Sequence, residues 1–376
     1  SIYEKIYIPI EEITFLPTII KTSLIDCVYF QVIVNQNEEQ STQYIAFAIK
    51  NLKNMESLDF NKIIEKSSPI EKIFIQDPDG TYSKMDDESK SYYRYLLSQI
   101  AKKENINEKE LASDILKQAK ADNKHIGYYL KNNHNIINQR KNIGKLYINI
   151  NIFLPLVLSF IIFLLTKNIF ISLITYFPFW EIVKPLNEYF TIKKCRTDFL
   201  PKLDINNVIP PEGKTLIVIS TILPKANQAK ELKAKLENLY FSNGAGDVNF
   251  CILADFTQNK YPQSANDKSQ IDSAVRIINL LNNKYGNRFF LITRKRTYSK
   301  TQNSYIGWER KRGAITELIR LIKGVPTPNL SCAGCITKLK FTKYIIALDA
   351  DTNLLIDSTQ KFVATALHPL NKPVID

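Results

Sequence analysis

Three textures follow one another along the chain. From residue 1 to about 145, apolar positions recur at helical spacing in a polar background, which predicts an all-helical domain. In NINEKELASDILKQAKA, Leu111, Ile115 and Ala119 fall four apart on one face, Asn107 stands where an N-cap belongs, and Glu110 is placed to reach back to it. QDPDGTY, residues 76–82, sets acidic residues beside a glycine, but their offsets miss an EF-hand loop. It reads as a turn that ends a helix.

The second texture is apolar throughout. Residues 146–166, LYININIFLPLVLSFIIFLLT, hold 21 residues without a charge, 15 of them Leu, Ile, Phe or Val. Those apolar side chains contribute roughly −5 to −9 kcal/mol on an insertion scale, enough to carry two asparagines and a proline into a bilayer. After Lys167 a shorter uncharged stretch, Asn168 to Trp180, leads to Glu181, Lys184, Pro178 and Pro185 nearby. It reads as a second, kinked span ending near Phe190, with an interfacial helix as the alternative. Arg140, Lys141 and Lys145 precede the pair, and Lys193, Lys194 and Arg196 follow it. By the positive-inside rule this predicts a transmembrane hairpin with both flanking parts in the cytoplasm.

Beyond about Pro210 four apolar, β-rich runs appear, TLIVIST at 215, VNFCILADF at 248, RFFLITRKR at 288 and TKYIIALDAD at 342, with helical stretches between them. Strands that alternate with helices and are apolar on both faces predict a mostly parallel sheet flanked by helices, an α/β fold. The expected division is therefore a helical domain over 1–145, a hairpin over 146–190, a linker over 191–212 and the α/β part over 213–376.

In an open parallel sheet, ligands bind beyond the carboxyl ends of the strands. The four runs end on Thr221, Asp255, Arg294 to Arg296, and Asp349 with Asp351. Side chains alternate along an extended backbone, so Asp349 and Asp351 point the same way and can share one hard divalent cation. In GWERKRGAITEL, Arg310, Lys311 and Arg312 run into Gly313 and a helix, so cationic side chains meet free amide donors at a helix start, a place that attracts phosphate. A Walker loop and a GxGxxG fingerprint are both missing from the sequence, which disfavours ATPase and dinucleotide readings.

The remaining composition narrows the classes. A net charge of +13 over 376 residues fits nucleic acid, an anionic membrane or a phosphorylated substrate. No RNA- or DNA-binding module accompanies it, so nucleic acid is not the expected partner. Five scattered cysteines do not form a secreted framework, and Cys332 and Cys335, a lone CAGC, read as part of a loop. His368, before Pro369, reads as a helix-end cap. The chain opens on Ser1 without a signal-peptide pattern and is expected to be a piece of a longer polypeptide.

In their order, DFLPKLDINNVIPPEGKTLIVISTIL, FCILADFTQ, GWERKRGAITEL and YIIALDADTNLLIDSTQKFVATALHPLNKPVID closely resemble the membrane glycosyltransferase region of cyclic β-1,2-glucan synthases. The helical stretch from SPIEKIF to ILKQA, with HIGYYL, is similar to the segment preceding that region. The resemblance implies a GT-A-like domain, of which this chain carries the donor half, using UDP-glucose to extend a β-glucan acceptor at the cytoplasmic membrane. It implies that Asp349 and Asp351 are the catalytic metal and diphosphate motif, served by Mg2+ or Mn2+. It also implies that Asp255 lies near the nucleoside, and that Lys311 to Gly313 are the basic-glycine element. With Thr221, Arg294, Arg310 and Arg312 these make the expected donor site. Ser220 and Gln258 depart from the family pattern, the second at a position of nucleoside contact. The family's catalytic base, its acceptor motif and its phosphorylase-like domain are expected outside residues 1–376. A membrane-tethered module that binds nucleotide-sugar without turnover is the alternative.

Overall fold

The computed structural model describes residues 10–33, 38–58, 60, 62, 68–131, 134–194, 199–223 and 229–373. Cys195, Arg196 and residues 224–228 lie outside them. The chain divides into two compact units, Ser1–Pro201 and Lys202–Asp376.

The first unit is helical. It comprises α1 (Ile10–Ile33), α2 (Glu38–Glu56), α3 (Pro69–Phe74), α4 (Asp87–Glu104), α5 (Glu108–Asp122), α6 (Gly127–Lys131), α7 (His134–Thr166) and α8 (Ile169–Lys194). Capping explains the boundaries of its middle helices. Asp86 accepts the Ser89 N–H at the start of α4, and Asn107 accepts the Lys109 N–H at the start of α5. Asn105 and Asn123 close the same two helices in the left-handed conformation, which asparagine tolerates. Ala112, Ile115, Leu116 and Ala119 are the buried face of α5.

The stretch 76–82 is a turn, as expected, and it is nailed in place. Asp77 Oδ1 accepts the Ile126 N–H at 3.0 Å and Asp77 Oδ2 accepts the Tyr82 N–H at 3.0 Å. His125 Nδ1 sits 2.6 Å from Asp77 Oδ2, while its Nε2 faces the Tyr93 hydroxyl at 2.8 Å.

Among the described residues, three helices are long and apolar enough to cross a membrane, over Phe15–Ile33, Ile143–Thr166 and Ile169–Lys193. The first was not expected from the sequence, because Lys21 and Asp26 interrupt its apolar run. The other two are α7 and α8, and α8 runs through Pro178 and Pro185 as one helix. Asn168 turns the pair, its side chain accepting the Phe170 N–H at 2.9 Å. Between them Ser172 Oγ donates to Ser159 O at 2.7 Å and Asn187 Nδ2 donates to Tyr147 O at 3.0 Å. Their large apolar side chains stay exposed, as lipid-facing surface requires.

The second unit is the α/β part. It comprises β1 (Thr215–Ile222), α9 (Ala229–Asn243), β2 (Val248–Asp255), α10 (Asp267–Tyr285), β3 (Phe289–Arg294), β4 (Thr297–Ser299), β5 (Ser304–Ile306), α11 (Arg310–Ile322), β6 (Leu330–Ala333), β7 (Tyr344–Asp349) and α12 (Ser358–Leu367). The main sheet has the order β6-β3-β2-β1-β7, parallel except for β6. Cys332 therefore lies in an edge strand, correcting the loop expected around CAGC. LSCA is short and carries no alternating pattern, so periodicity could not reveal it.

Alternation along the central strands builds two cores. Ile217, Ile219, Phe250, Ile252 and Leu291 face α9, α10 and α12, packing on Leu236, Ile278 and Val363. Leu216, Val218, Cys251, Leu253 and Ile292 face the other way, onto Ala314 and Leu318 of α11. Both faces of β1 and β2 are covered, which is why the strands run apolar without alternation over Leu216–Ile219 and Phe250–Ala254.

Candidate functional site

Strand register gathers the polar ends. Across the parallel ladder Ile222 stands beside Asp255, Asp255 beside Arg294, and Ser220 beside Asp349. The parity that puts Leu253 and Ile292 on the α11 side puts Asp255, Arg294 and Asp349 there too.

Asp349 is the last residue of β7, and its carbonyl accepts the Thr352 N–H at 3.1 Å, closing a turn. The extended backbone stops there, so the expectation that Asp349 and Asp351 are aligned by strand alternation is corrected. Ala350 and Asp351 belong to the turn. Both carboxylates remain exposed, and they are served by different cations. Lys311 Nζ lies 2.5 Å from Asp349 Oδ1. Lys235, from the second turn of α9, donates to the Ala350 carbonyl. Burial lowers the pKa of the Lys235 ammonium, while the charge of Asp351 acts in the opposite direction.

Asp255 and Arg294 form the buried centre of the α11 side. Arg294 is 1% exposed. Its Nε and Nη2 donate to the two oxygens of Asp255 at 2.7 Å each. Nη1 donates to Trp308 O at 2.7 Å, Nη2 also donates to Arg310 O at 2.8 Å, and Glu317 lies 3.5 Å away. A residue expected at the ligand surface thus holds the 307–310 turn against the end of β2. Glycine makes this possible, since a Cβ at Gly307 would lie 2.5 Å from Asp255 Oδ2.

The basic run starts α11 as the sequence indicated. Glu309 and Arg310 both adopt positive φ, 48° and 47°, so the helix entry stores backbone strain. No side chain caps that entry. Arg310, Lys311 and Arg312 are exposed, and Arg312 Nε lies 3.4 Å from Glu309. Gly313 is buried against Trp308, where a Cβ would stand 2.0 Å from the Trp308 carbonyl oxygen.

A cavity of about 590 Å³ opens at the carboxyl ends of β1 and β2, on the side covered by α9 and α10. Thr221, the remaining expected residue, lines it with Leu223, Lys235, Thr257, Asn266, Gln270 and Ala350. Thr221 Oγ1 donates to the Ile222 carbonyl at 3.1 Å. One wall is fixed by Arg296, which grips Asp267 at 2.5 and 2.9 Å. That bond, first, and the Ser264 N–H hold the Asp267 carboxyl below its usual pKa against the effect of burial. The structure thus brings Asp255, Arg294, Lys311 and Asp349 together on one side of the sheet edge, with Thr221 and the cavity on the other. The Ala350–Asp351 turn lies between them.

Among the residues not expected at the site, Lys235 and Asp267 carried no motif, and Arg296 was read only as part of a polar strand end. Only the glycine of GWERKRG was a signal, because a glycine before a bulky residue marks close backbone approach. His368 is buried and its Nδ1 accepts the Leu370 N–H at 3.3 Å, a capping role as expected.

Among the described residues, one group of three side chains has ligand atoms close enough to hold a metal ion: Asp77, Asp79 and His125, within 4.8 Å. It stands in the helical unit. To coordinate there, His125 Nδ1 would surrender the hydrogen bond it makes with Asp77.

Fold and site together define a membrane-associated chain whose α/β part carries an acidic turn, a basic helix start and a polar cavity at one sheet edge. No family model matches it. Its sequence is similar to the cyclic β-(1,2)-glucan synthase NdvB of Rhizobium meliloti strain 1021, at 34% identity over 173 residues. The match covers 45% of this chain and 6% of that protein's length.

Proposed function

We propose that the chain is the donor-binding part of a GT-A-type membrane glycosyltransferase that uses UDP-glucose to extend a β-1,2-glucan on the cytoplasmic side of the membrane. The observation that carries this reading is the meeting of the exposed acidic turn, Asp349 to Asp351, with Lys311 at the uncapped start of α11, beside the cavity lined by Thr221.

The division of labour follows from chemistry. The nucleoside occupies the cavity, where Thr221, Thr257, Asn266 and Gln270 offer hydrogen bonds above an apolar floor. The diphosphate lies over the turn, facing Arg310, Lys311 and Arg312 and the amides of the first turn of α11. These groups stabilise the negative charge that grows on the diphosphate as it leaves the anomeric carbon with inversion. Arg294 keeps Asp255 oriented at the edge of β2.

Asp349 and Asp351 offer only oxygen donors, which fits a hard cation held by one or two carboxylates plus substrate phosphates. Mg2+ or Mn2+ bound there would add positive charge to the leaving diphosphate. The likeness to a cyclic glucan synthase supports glucose as the sugar and a β-1,2-glucan as the product class.

Isothermal titration of the full chain in detergent with UDP-glucose tests the reading. Binding that requires Mg2+ or Mn2+ and disappears in Asp351→Asn is the expected result. Binding indifferent to both, or none at all, overturns it.

A further inference from the structure

We propose that Lys235 is a phosphate-side residue of the cavity: it fixes the Ala350–Asp351 turn through the Ala350 carbonyl and turns its remaining donors toward the diphosphate. This rests on the nucleotide-sugar reading above and adds to it a residue that neither motif nor likeness indicates.

Position comes first. Lys235 belongs to α9, more than a hundred residues before the acidic turn, yet its ammonium reaches the carbonyl next to Asp351. An ammonium has three N–H donors, and the Ala350 bond uses one. The side chain also lines the cavity. It therefore stands where the nucleoside cavity meets the acidic turn, the place a diphosphate must cross.

Charge inventory comes second. Among the described residues lining the cavity, Lys235 is the only cation. Of the two acidic residues there, Asp267 is neutralised by Arg296 and Glu231 is exposed at the rim. Among the described residues, an anionic ligand in this cavity has no other lining cation to meet. Lys311 and its neighbours lie on the α11 side, so Lys235 supplies the opposite jaw.

The test compares two probes, UDP with Mg2+ and uridine alone, on the full chain in detergent. Lys235→Met keeps the aliphatic stem and removes the charge. A lost hydrogen bond to a charged group corresponds to about a tenfold weakening, expected for UDP while uridine binding stays unchanged. Lys235→Arg is expected to restore UDP binding, and Lys233→Ala, on the same helix and within 3.9 Å of Glu237, to leave both probes unaffected. UDP binding by Lys235→Met at the wild-type level overturns the proposal. An equal loss of UDP and uridine also overturns it, since that marks a structural wall residue. If the wild-type chain binds no UDP, the nucleotide-sugar reading itself has failed.

Discussion

Lys311 Nζ and Asp349 Oδ1 stand 2.5 Å apart, joining the start of α11 to the end of β7. Their side chains are 44% and 61% exposed, so water screens the pair and its contribution to stability is small, about 0–1 kcal/mol. On the proposed reading, its value lies in holding a cation against a carboxylate that a ligand can later claim. Lys311→Ala should therefore shift the urea midpoint very little. It should weaken UDP-glucose binding about tenfold, the size of one lost charge-assisted hydrogen bond. A large loss of stability with unchanged binding would make the pair structural.

Arg294 is the reverse case. Its guanidinium is buried and bonded to a carboxylate and two carbonyls, so removing it strands Asp255 and Glu317 in a dry site. Arg294→Met should destabilise the α/β unit by about 3–5 kcal/mol, the usual cost of breaking a buried pair from one side. Arg294→Lys should recover little, because an ammonium cannot reproduce the two-pronged grip on Asp255. Urea denaturation followed by tryptophan fluorescence measures both, with Trp308 as a local reporter.

The two glycines around Trp308 should differ. A Cβ at Gly313 meets a backbone carbonyl at 2.0 Å, which cannot move without moving the turn. Gly313→Ala should cost about 1–3 kcal/mol, as overpacking does. At Gly307 the obstacles are the tips of Asp255 and Arg294, at 2.5 and 2.6 Å. Gly307→Ala should cost less stability but prise that ion pair apart and weaken ligand binding more. Equal effects of the two variants on both measurements would refute the distinction.

What the sequence revealed follows from how each feature is encoded. β1 and β2 are apolar on both faces because helices cover both, so their runs were visible without a structure. α7 and α8 were visible because lipid asks only for length and apolarity. The Asn107 cap was visible because capping is local. By contrast, β6 pairs with β3 through backbone bonds that LSCA does not advertise. The aligned pair at 349 and 351 rested on alternation, which lapsed where Thr352 closes the turn. Arg294 looked like a surface cation because a basic run looks the same whether or not its first member is buried. Lys235 was invisible, since nothing in α9 announces a contact with Ala350.

Acid should act on the helical unit through Asp77. Burial pushes this carboxyl up, but the bonds from His125 and Asp79, with the Ile126 N–H, outweigh it and leave its pKa below the ordinary value. A depressed carboxyl contributes stability that is present above its unfolded value, near 3.9, and is lost as pH falls through the lower folded one. Stability of the unit should thus fall at pH below about 4, and Asp77→Asn should flatten that fall while lowering the plateau at neutral pH. Chemical denaturation at a series of pH values measures both. An unchanged acid slope in Asp77→Asn would assign the loss to other carboxylates.

The solvent around α7 can be identified from one exposed residue. Ile152 is 44% exposed near the middle of the apolar stretch Ile143–Thr166. In water, replacing an exposed isoleucine by arginine is nearly neutral, within about 0.5 kcal/mol. In a bilayer the same change adds the cost of a central arginine to the loss of an apolar side chain, about 3–4 kcal/mol together. Ile152→Arg should therefore sharply reduce the fraction of chain inserted in a translocon or microsome assay. Ser159→Ala, which touches only the bond pattern to Ser172, should cost about 0.6 kcal/mol or less. If Ile152→Arg inserts, folds and fractionates like the wild-type chain, α7 is solvated by water rather than by lipid.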